Sequence, residues 1–486
     1  MKQYRSYIVI PLLVLLCIAT RLPMLCSPNR MLDIDECTVG LMADHQYYKG
    51  EISPIFWGQA YGFTLVETTA ITAIYAIGGV SDISVKIAML VLWIIGIVFF
   101  YKTLNLVSKE RVIPLLITLL FICSPAWAVW SMKARGGYLT AFTLGWILLY
   151  LVMHPAASRR IITWVLAGAL ISLIYESQAL WIPGLLPIII YRLVKEKKRR
   201  FTASFIITAL CSFGAFAIYK EQLTVRHYVV YAEQGDLLQN VLRIPAYLYA
   251  HLHGDYFFDY IAAPNAVNAS FAILFSILAY GLILIAIFYS LKKRNSLFVS
   301  SALGILLSLL ATIPSLKMEP RYMLPVTGCT LLTLQLFLNN LTRLRAAKTS
   351  LAVVCITGLT GLLTLHDYSF CKTKRQELLQ LISYLEEGNI HHVYVPDWML
   401  QWQIMYYSHE QVIARQQEIP DRCPVYNKSV DKAFYTGKPV AIVGYDGSLN
   451  LPGEQAHIAG YFVYAHPSKE LLQQNFTLWP ISSYYK

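Results

Sequence analysis

Charge is what this chain has least of. Charged residues fill 14% of its 486 positions, where a soluble protein of this size carries about 25%. Acids are scarcer than bases, 28 Asp and Glu against 40 Lys and Arg. A surface solvated by water on all sides is therefore excluded. Disorder is excluded too, because 56% of the residues are hydrophobic and are spread along the chain. The nine cysteines show no C-x-x-C spacing, which argues against a thiolate metal site. No internal repeat or low-complexity tract is visible. The first apolar run follows Lys2 and Arg5 as in a signal peptide. No small-x-small cleavage site ends it, so it reads as an anchor.

What is present is long apolar sequence, with a mean hydropathy of +0.50. Stretches able to cross a bilayer, about 17–25 residues each, lie near 7–25, 83–106, 112–131, 161–179, 202–219, 270–291, 297–316, 322–340 and 349–366. Shorter ones lie near 138–153 and 180–194. These predict an all-α polytopic membrane bundle. Tyr (33) and Trp (10) are plentiful, as at lipid interfaces.

Net charge is +12, but the bases sit in short clusters between apolar runs, which is no nucleic-acid footprint. The clusters are Lys2/Arg5, Lys102/Lys109/Arg111, Arg159/Arg160, Lys195 to Arg200, Lys292/Lys293/Arg294 and Arg343/Arg345/Lys348. Placing all of them in the cytoplasm gives about eleven spans, with the N-terminus in and the C-terminus out. Parity then requires residues 64–79 to lie along, or dip into, the outer interface. The outer side receives a first loop (26–82), a long loop (220–268) and the tail. Cys26, Cys37, Cys371 and Cys423 fall on that side and are able to pair. Cys123, Cys211, Cys329 and Cys355 read as small core residues.

Residues 1–369 form the membrane part, and 370–486 change character. A polar helical stretch runs from Glu377 to Glu387. Apolar runs at 392–395, 440–443 and 461–464 read as strands. A small α/β domain of roughly 115 residues is expected on the outer side.

The polar residues that stand out gather at outer junctions. Asp33, Asp35 and Glu36 follow the first span. Asp35 is placed to take a proton from a substrate, or to cap the helix that begins near Glu36. Asp33-Ile-Asp35 has the D-x-D form of a divalent-metal site. Lys133, Arg135, Lys317 and Arg321 suit a phosphate, against snorkelling as the plain alternative. Arg135 precedes two glycines, and Arg321 has Glu319 beside it. Gln59 and Tyr61 offer hydrogen bonds to a ligand, as do Tyr138, Glu176 and Gln178 at span ends. His251, His253 and Asp255 are a weaker ligand set within an aromatic outer loop that suits an interfacial helix.

The order of these pieces resembles a known family. Asp35-Glu36, Gly40, Gly50, Pro54 and Trp57-Gly-Gln-Ala-Tyr-Gly62 are followed by Arg135-Gly-Gly-Tyr138 and Glu319-Pro-Arg-Tyr-Met-Leu-Pro325. The set is similar to the C-superfamily of membrane glycosyltransferases, in particular the group of protein O-mannosyltransferases and lipid A aminoarabinose transferases. The resemblance implies sugar transfer from a polyprenyl-phosphate donor to a lipid, glycan or protein hydroxyl, with the active site and tail facing the periplasm from a bacterial inner membrane. It implies Asp35 as base with Glu36 beside it. Some relatives carry a further Asp where this chain has Arg135-Gly-Gly-Tyr138, which shifts attention to Arg135 as a phosphate ligand. No cofactor is required by this chemistry; a divalent metal at Asp33 and Asp35 stays the alternative. A transporter or flippase of lipid-linked saccharide is the rival reading. It calls for charged or broken segments near the midplane, repeated in two halves, and neither is visible.

Overall fold

The computed structural model describes residues 6–28, 30–226, 235–254, 266–292, 296–315, 319–339, 344–364, 375–417 and 422–480. Lys317, Cys371 and Asp255 lie outside the described residues. Helices dominate up to residue 363, and a five-stranded sheet follows.

Three helical runs among the described residues are long and apolar enough to cross a membrane: Asp82–Val107, Ile161–Glu196 and Arg199–Gln222. Shorter apolar helices include Leu65–Gly78, Val112–Ile122, Tyr138–Met153 and Ser296–Leu310. The expected span at 112–131 divides into Val112–Ile122 and Pro125–Trp130. Pro125 cannot donate to the helical ladder, so it opens a new helix at its first turn. Arg21 closes the break. Its buried guanidinium donates to the Ile122 and Trp127 carbonyls at 2.8 and 3.1 Å and to the Ser131 hydroxyl at 3.0 Å. A buried cation thus satisfies the Ile122 carbonyl that the break leaves over and adds a second donor to that of Trp127, which already accepts from the Ser131 amide.

The helical core is aromatic. Trp93 stacks on Trp127 (5.0 Å) and on Phe142 (4.7 Å). Gly96 makes that possible, since a Cβ there would fall 2.1 Å from the Phe142 ring. Cys123, Cys329 and Cys355 are buried as expected, but Cys211 is exposed. It lies on the helix Arg199–Arg226, most of whose apolar surface faces away from the protein.

Strands β1 (His392–Tyr394), β2 (Ile413–Arg415), β3 (Ala441–Tyr445), β4 (Ala456–Ile458) and β5 (Tyr461–Ala465) form a sheet of order β2-β1-β3-β5-β4. β1 pairs in parallel with β2 and β3, while β5 runs antiparallel to β3 and β4. The expected strands are β1, β3 and β5. β2 and β4 are three residues each; β1 is as short but runs on into the apolar Val395, and β4 is Ala-His-Ile, which is no apolar run. Inside this unit Arg415 holds Asp431 by two bonds of 2.8 and 2.7 Å, and the Tyr394 hydroxyl donates to the same carboxylate at 3.0 Å.

The sheet unit packs directly on the first loop. Helix Trp398–Tyr407 lies against helix Ile34–Tyr48. The Tyr406 and Tyr75 hydroxyls meet at 3.0 Å, and Gln403 donates to the Leu32 carbonyl at 3.0 Å. Gly40 permits the approach, because a Cβ there would fall 2.5 Å from the Tyr406 ring. Cys37 is buried in this contact, Cys26 is exposed and Cys423 half-buried. No disulfide joins these three to one another.

Candidate active site

The acidic cluster opens the helix Ile34–Tyr48. Asp33, with extended backbone, is the N-cap: its side chain accepts from the Glu36 amide at 3.0 Å, and Glu36 accepts from the Asp33 amide at 3.1 Å. This capping box corrects the expectation that Asp35 caps the helix. The reason is reach, because a cap must precede the first turn and Asp35 is already inside it. Three acids in one turn also sit favourably at the positive end of the helix dipole.

A turn of 3.6 residues sends the three carboxylates in three directions. Glu36 is fully buried and pairs with Lys86, itself fully buried. It does not line the cavity described below, contrary to its expected place beside the base. Asp33 faces Lys133 at 2.6 Å and Arg135 at 3.7 Å. Asp35 receives the Arg135 Nε at 2.6 Å on one oxygen and an Arg422 nitrogen at 2.7 Å on the other.

These surroundings set the charges. Burial raises the Asp33 and Asp35 pKa values. For Asp33, Lys133 and Arg135 outweigh it and hold the carboxyl well below the usual range. For Asp35, Arg135 and Arg422 do the same. At Glu36 burial wins over Lys86, and the pKa is raised. Asp35 is therefore an ionised carboxylate held by two guanidinium groups.

Asp35 lines a cavity of about 490 Å³ together with Gln59, Tyr61, Arg135, Tyr138, Glu176, Gln178 and Arg321. Residues scattered through the first loop and three later junctions meet in one space. Glu319 stands behind, paired with Arg321 at 2.9 Å. Lys133 is buried against Asp33 rather than open to the cavity. Lining residues that sequence reading missed include Lys220, Tyr322, Trp398 and Arg422. Lys220 pairs with Glu176 at 2.6 Å. Tyr322 lies inside the Glu319–Pro325 motif, which is itself a signal for it. Arg422 carried no local signal, since it reaches Asp35 only through docking of the sheet unit.

Glu67 was also missed. It belongs to the helix Leu65–Gly78 and is fully buried. The amides of Leu139 and Thr140 donate to one carboxylate oxygen at 3.2 and 3.3 Å. The helix Tyr138–Met153 begins after Gly137, at φ 92°, with no side chain to cap it. Glu67 supplies the missing acceptor from another helix and so fixes the turn that carries Arg135. The glycine is obligatory, because a Cβ at Gly137 would fall 2.8 Å from the Phe63 carbonyl.

The D-x-D pair does not fit a divalent cation as arranged. Its carboxylates are engaged by Lys133, Arg135 and Arg422, and no group of three or more His, Cys, Asp or Glu is placed to hold a metal among the described residues. His251 is buried, with Nε2 2.8 Å from the Thr327 hydroxyl.

No family model matches the sequence, and no curated protein matches it. Solved structures do. ArnT from Cupriavidus metallidurans bound to undecaprenyl phosphate superposes with a TM-score of 0.64 at 12% identity, over 96% of this chain and 99% of that one. The Archaeoglobus fulgidus oligosaccharyltransferase in complex with Zn and sulfate gives a TM-score of 0.53 at 11% identity, over 90% of this chain and 68% of that one. The chain shares the fold of both structures. The likeness to ArnT, itself a lipid A aminoarabinose transferase, runs through both the helical part and the sheet unit.

Proposed function

We propose that this protein is an integral-membrane, inverting glycosyltransferase that moves a hexosyl or pentosyl group from a polyprenyl phosphate to an acceptor hydroxyl. The observation that carries the reading is the single cavity in which Asp35 meets Arg135 and Arg321, in a fold shared with a protein solved with undecaprenyl phosphate bound. The site faces the outer side of the membrane, by the charge asymmetry of the loops. Residues 1–369 form the transferase domain of about eleven spans, and 370–486 an extracytoplasmic domain that completes the cavity with Arg422. A bacterial inner membrane is the setting.

Among the described residues, four cationic side chains line the cavity, Arg135, Lys220, Arg321 and Arg422, against the carboxylates of Asp35 and Glu176. The excess positive charge suits a lipid phosphate. Arginine stays ionised at low dielectric and binds phosphate with paired donors. Asp35 holds Arg135 and Arg422 until the donor arrives. The phosphate then competes for those guanidinium groups and releases a carboxylate oxygen.

That oxygen takes the proton of the acceptor hydroxyl as the hydroxyl oxygen attacks the anomeric carbon. The new glycosidic C–O bond forms on the face opposite the breaking C–O bond to phosphate. The bond pair leaves with the lipid phosphate, whose growing charge Arg135 and Arg321 stabilise. The proton ends on Asp35. Gln59 and Tyr61 orient the sugar.

The test is purified protein in liposomes with a labelled polyprenyl-phosphate sugar and a membrane extract as acceptor. Transfer of label, lost in Asp35→Asn, is the expected result. Movement of the labelled lipid between leaflets without transfer supports a transporter and overturns the reading.

A further inference from the structure

A second cavity, of about 670 Å³, lies between the first-loop segment and the sheet unit. It shares Phe56, Gln59 and Arg422 with the Asp35 cavity. Whatever fills it is therefore held next to the carboxylate. The shared wall is tightly made: Gly58, at φ 71°, lets the Arg422 backbone approach to 2.5 Å from where a Cβ would be.

The lining differs in kind from that of its neighbour. Among the described residues, Lys49 and His45 are matched by Glu410 and Glu51, which His45 holds at 2.8 and 3.0 Å. Lys49 binds Glu410 at 2.9 Å, and Arg422 is turned to Asp35. The cavity holds no surplus cation for a phosphate. Trp57, Tyr219 and Tyr426 supply aromatic surface, and the Trp57 ring packs edge-on against His45 at 5.1 Å. Gln59, Tyr219 and Ser429 line the cavity, and their side chains make no hydrogen bond to the described residues. Aromatic faces beside open amide and hydroxyl groups match a ring with C–H faces and hydroxyl edges. An acyl chain would leave those polar groups without partners.

One wall is held in strained backbone. His409 and Glu410 are consecutive non-glycine residues at φ 49° and 59°. That conformation brings the Glu410 carboxylate to His45 at 2.8 Å and to the Tyr426 hydroxyl. Strain of this kind persists where surrounding contacts over-determine it, and here the contacts fix the cavity before any ligand enters.

We propose that this cavity binds the acceptor and that the acceptor is a neutral saccharide, presented across the Gln59–Arg422 wall to Asp35. The proposal rests on the glycosyl-transfer reading for the acceptor's role, but its binding chemistry is tested separately. Saturation-transfer NMR on the full chain in detergent would use neutral disaccharides of hexoses, N-acetylhexosamines and pentoses, with a Ser/Thr-rich peptide as contrast. Native mass spectrometry with undecaprenyl phosphate would run in parallel.

At least one disaccharide is expected to bind. Ser429→Phe, which fills the cavity, should weaken it about tenfold, equivalent to about 1.4 kcal/mol. Glu410→Gln, which keeps the shape, should weaken it in the same direction. Undecaprenyl phosphate binding should be unchanged in both, which also reports that they fold. Binding of the peptide alone, of no disaccharide, or equally well by Ser429→Phe overturns the proposal. Failure of the wild type to bind undecaprenyl phosphate counts instead against the transfer reading.

Discussion

The two cavities share a wall and differ in charge. Among the described residues, four cations face two carboxylates around Asp35; around Trp57, His45 and Lys49 are offset by Glu51 and Glu410, and Arg422 is turned away to Asp35. The first is built to gain an anion and the second to avoid one. Arg422 stands in both linings, yet its guanidinium is committed to Asp35 at 2.7 Å. One side chain from the sheet unit thus completes the anionic side while forming the wall of the neutral one.

Removing the base should break the anionic side most severely. Asp35→Asn is expected to lower transfer by about 10²–10⁴-fold, the usual worth of a positioned general base, measured as label transferred per minute. Because the Asp35 pKa is depressed, the carboxylate is already ionised at neutral pH. The wild-type rate should therefore not rise with pH across neutrality on account of this group, and it should fall only in acid.

Arg135→Ala should follow, with a loss of about 10²–10³-fold in kcat, as for one donor to transition-state charge. Arg135→Lys should recover little, since a point charge lacks the paired geometry. Neither should alter what the neutral cavity binds. An equal effect on both ligands would erase the distinction between the cavities.

Glu67→Ala touches the scaffold of the anionic side only. It leaves buried amides of the 135–140 turn without their acceptor, at a cost of about 1–3 kcal/mol, read as a lowered thermal midpoint. Glu67→Gln keeps an acceptor oxygen and should restore part of that stability and of the transfer rate. Unchanged melting in Glu67→Ala would remove its role in holding Arg135.

The smallest effect belongs to the neutral side and depends on pH. Burial lowers the His45 pKa, but Glu410 and Glu51 outweigh burial and Lys49, and raise it above its ordinary 6.5. A raised histidine pKa adds stability that is complete below 6.5 and lost as pH rises through the folded value. Burial raises the Glu410 pKa, but its bonds from His45, Tyr426 and Lys49 win and bring it down to about 2 from 4.5. That contribution is complete above 4.5 and lost as pH falls toward 2. Docking of the sheet unit should be firmest between 4.5 and 6.5, with Tm declining above that window. Glu410→Gln should flatten the decline.

How much of this was legible in the sequence follows from the range of each interaction. Apolar runs mark helices because burial in lipid and burial in protein demand the same composition. β1, β3 and β5 could be read from their apolar runs. The Asp35, Arg135 and Arg321 junctions could be read because each carries its polar residues in a short local motif. Glu36 could not be placed, since only the helical turn decides that it points at Lys86 while Asp35 points at Arg135. Arg422 and Glu410 were invisible for another reason. Their partners lie in the first loop, and nothing near either residue announces that the sheet unit docks there. Glu67 reads in sequence as an acid in a weak apolar helix, because its two backbone donors, Leu139 and Thr140, lie on another helix.

Competition for Arg135 is the step on which the whole scheme turns, and undecaprenyl phosphate affinity in Asp35→Asn tests it most directly. If the phosphate displaces Asp35 from Arg135 and Arg422, removing the carboxylate's charge should leave affinity equal or tighter while transfer is lost, and Arg135→Ala should weaken binding. An Asp35→Asn variant that binds undecaprenyl phosphate more weakly than the wild type would contradict it.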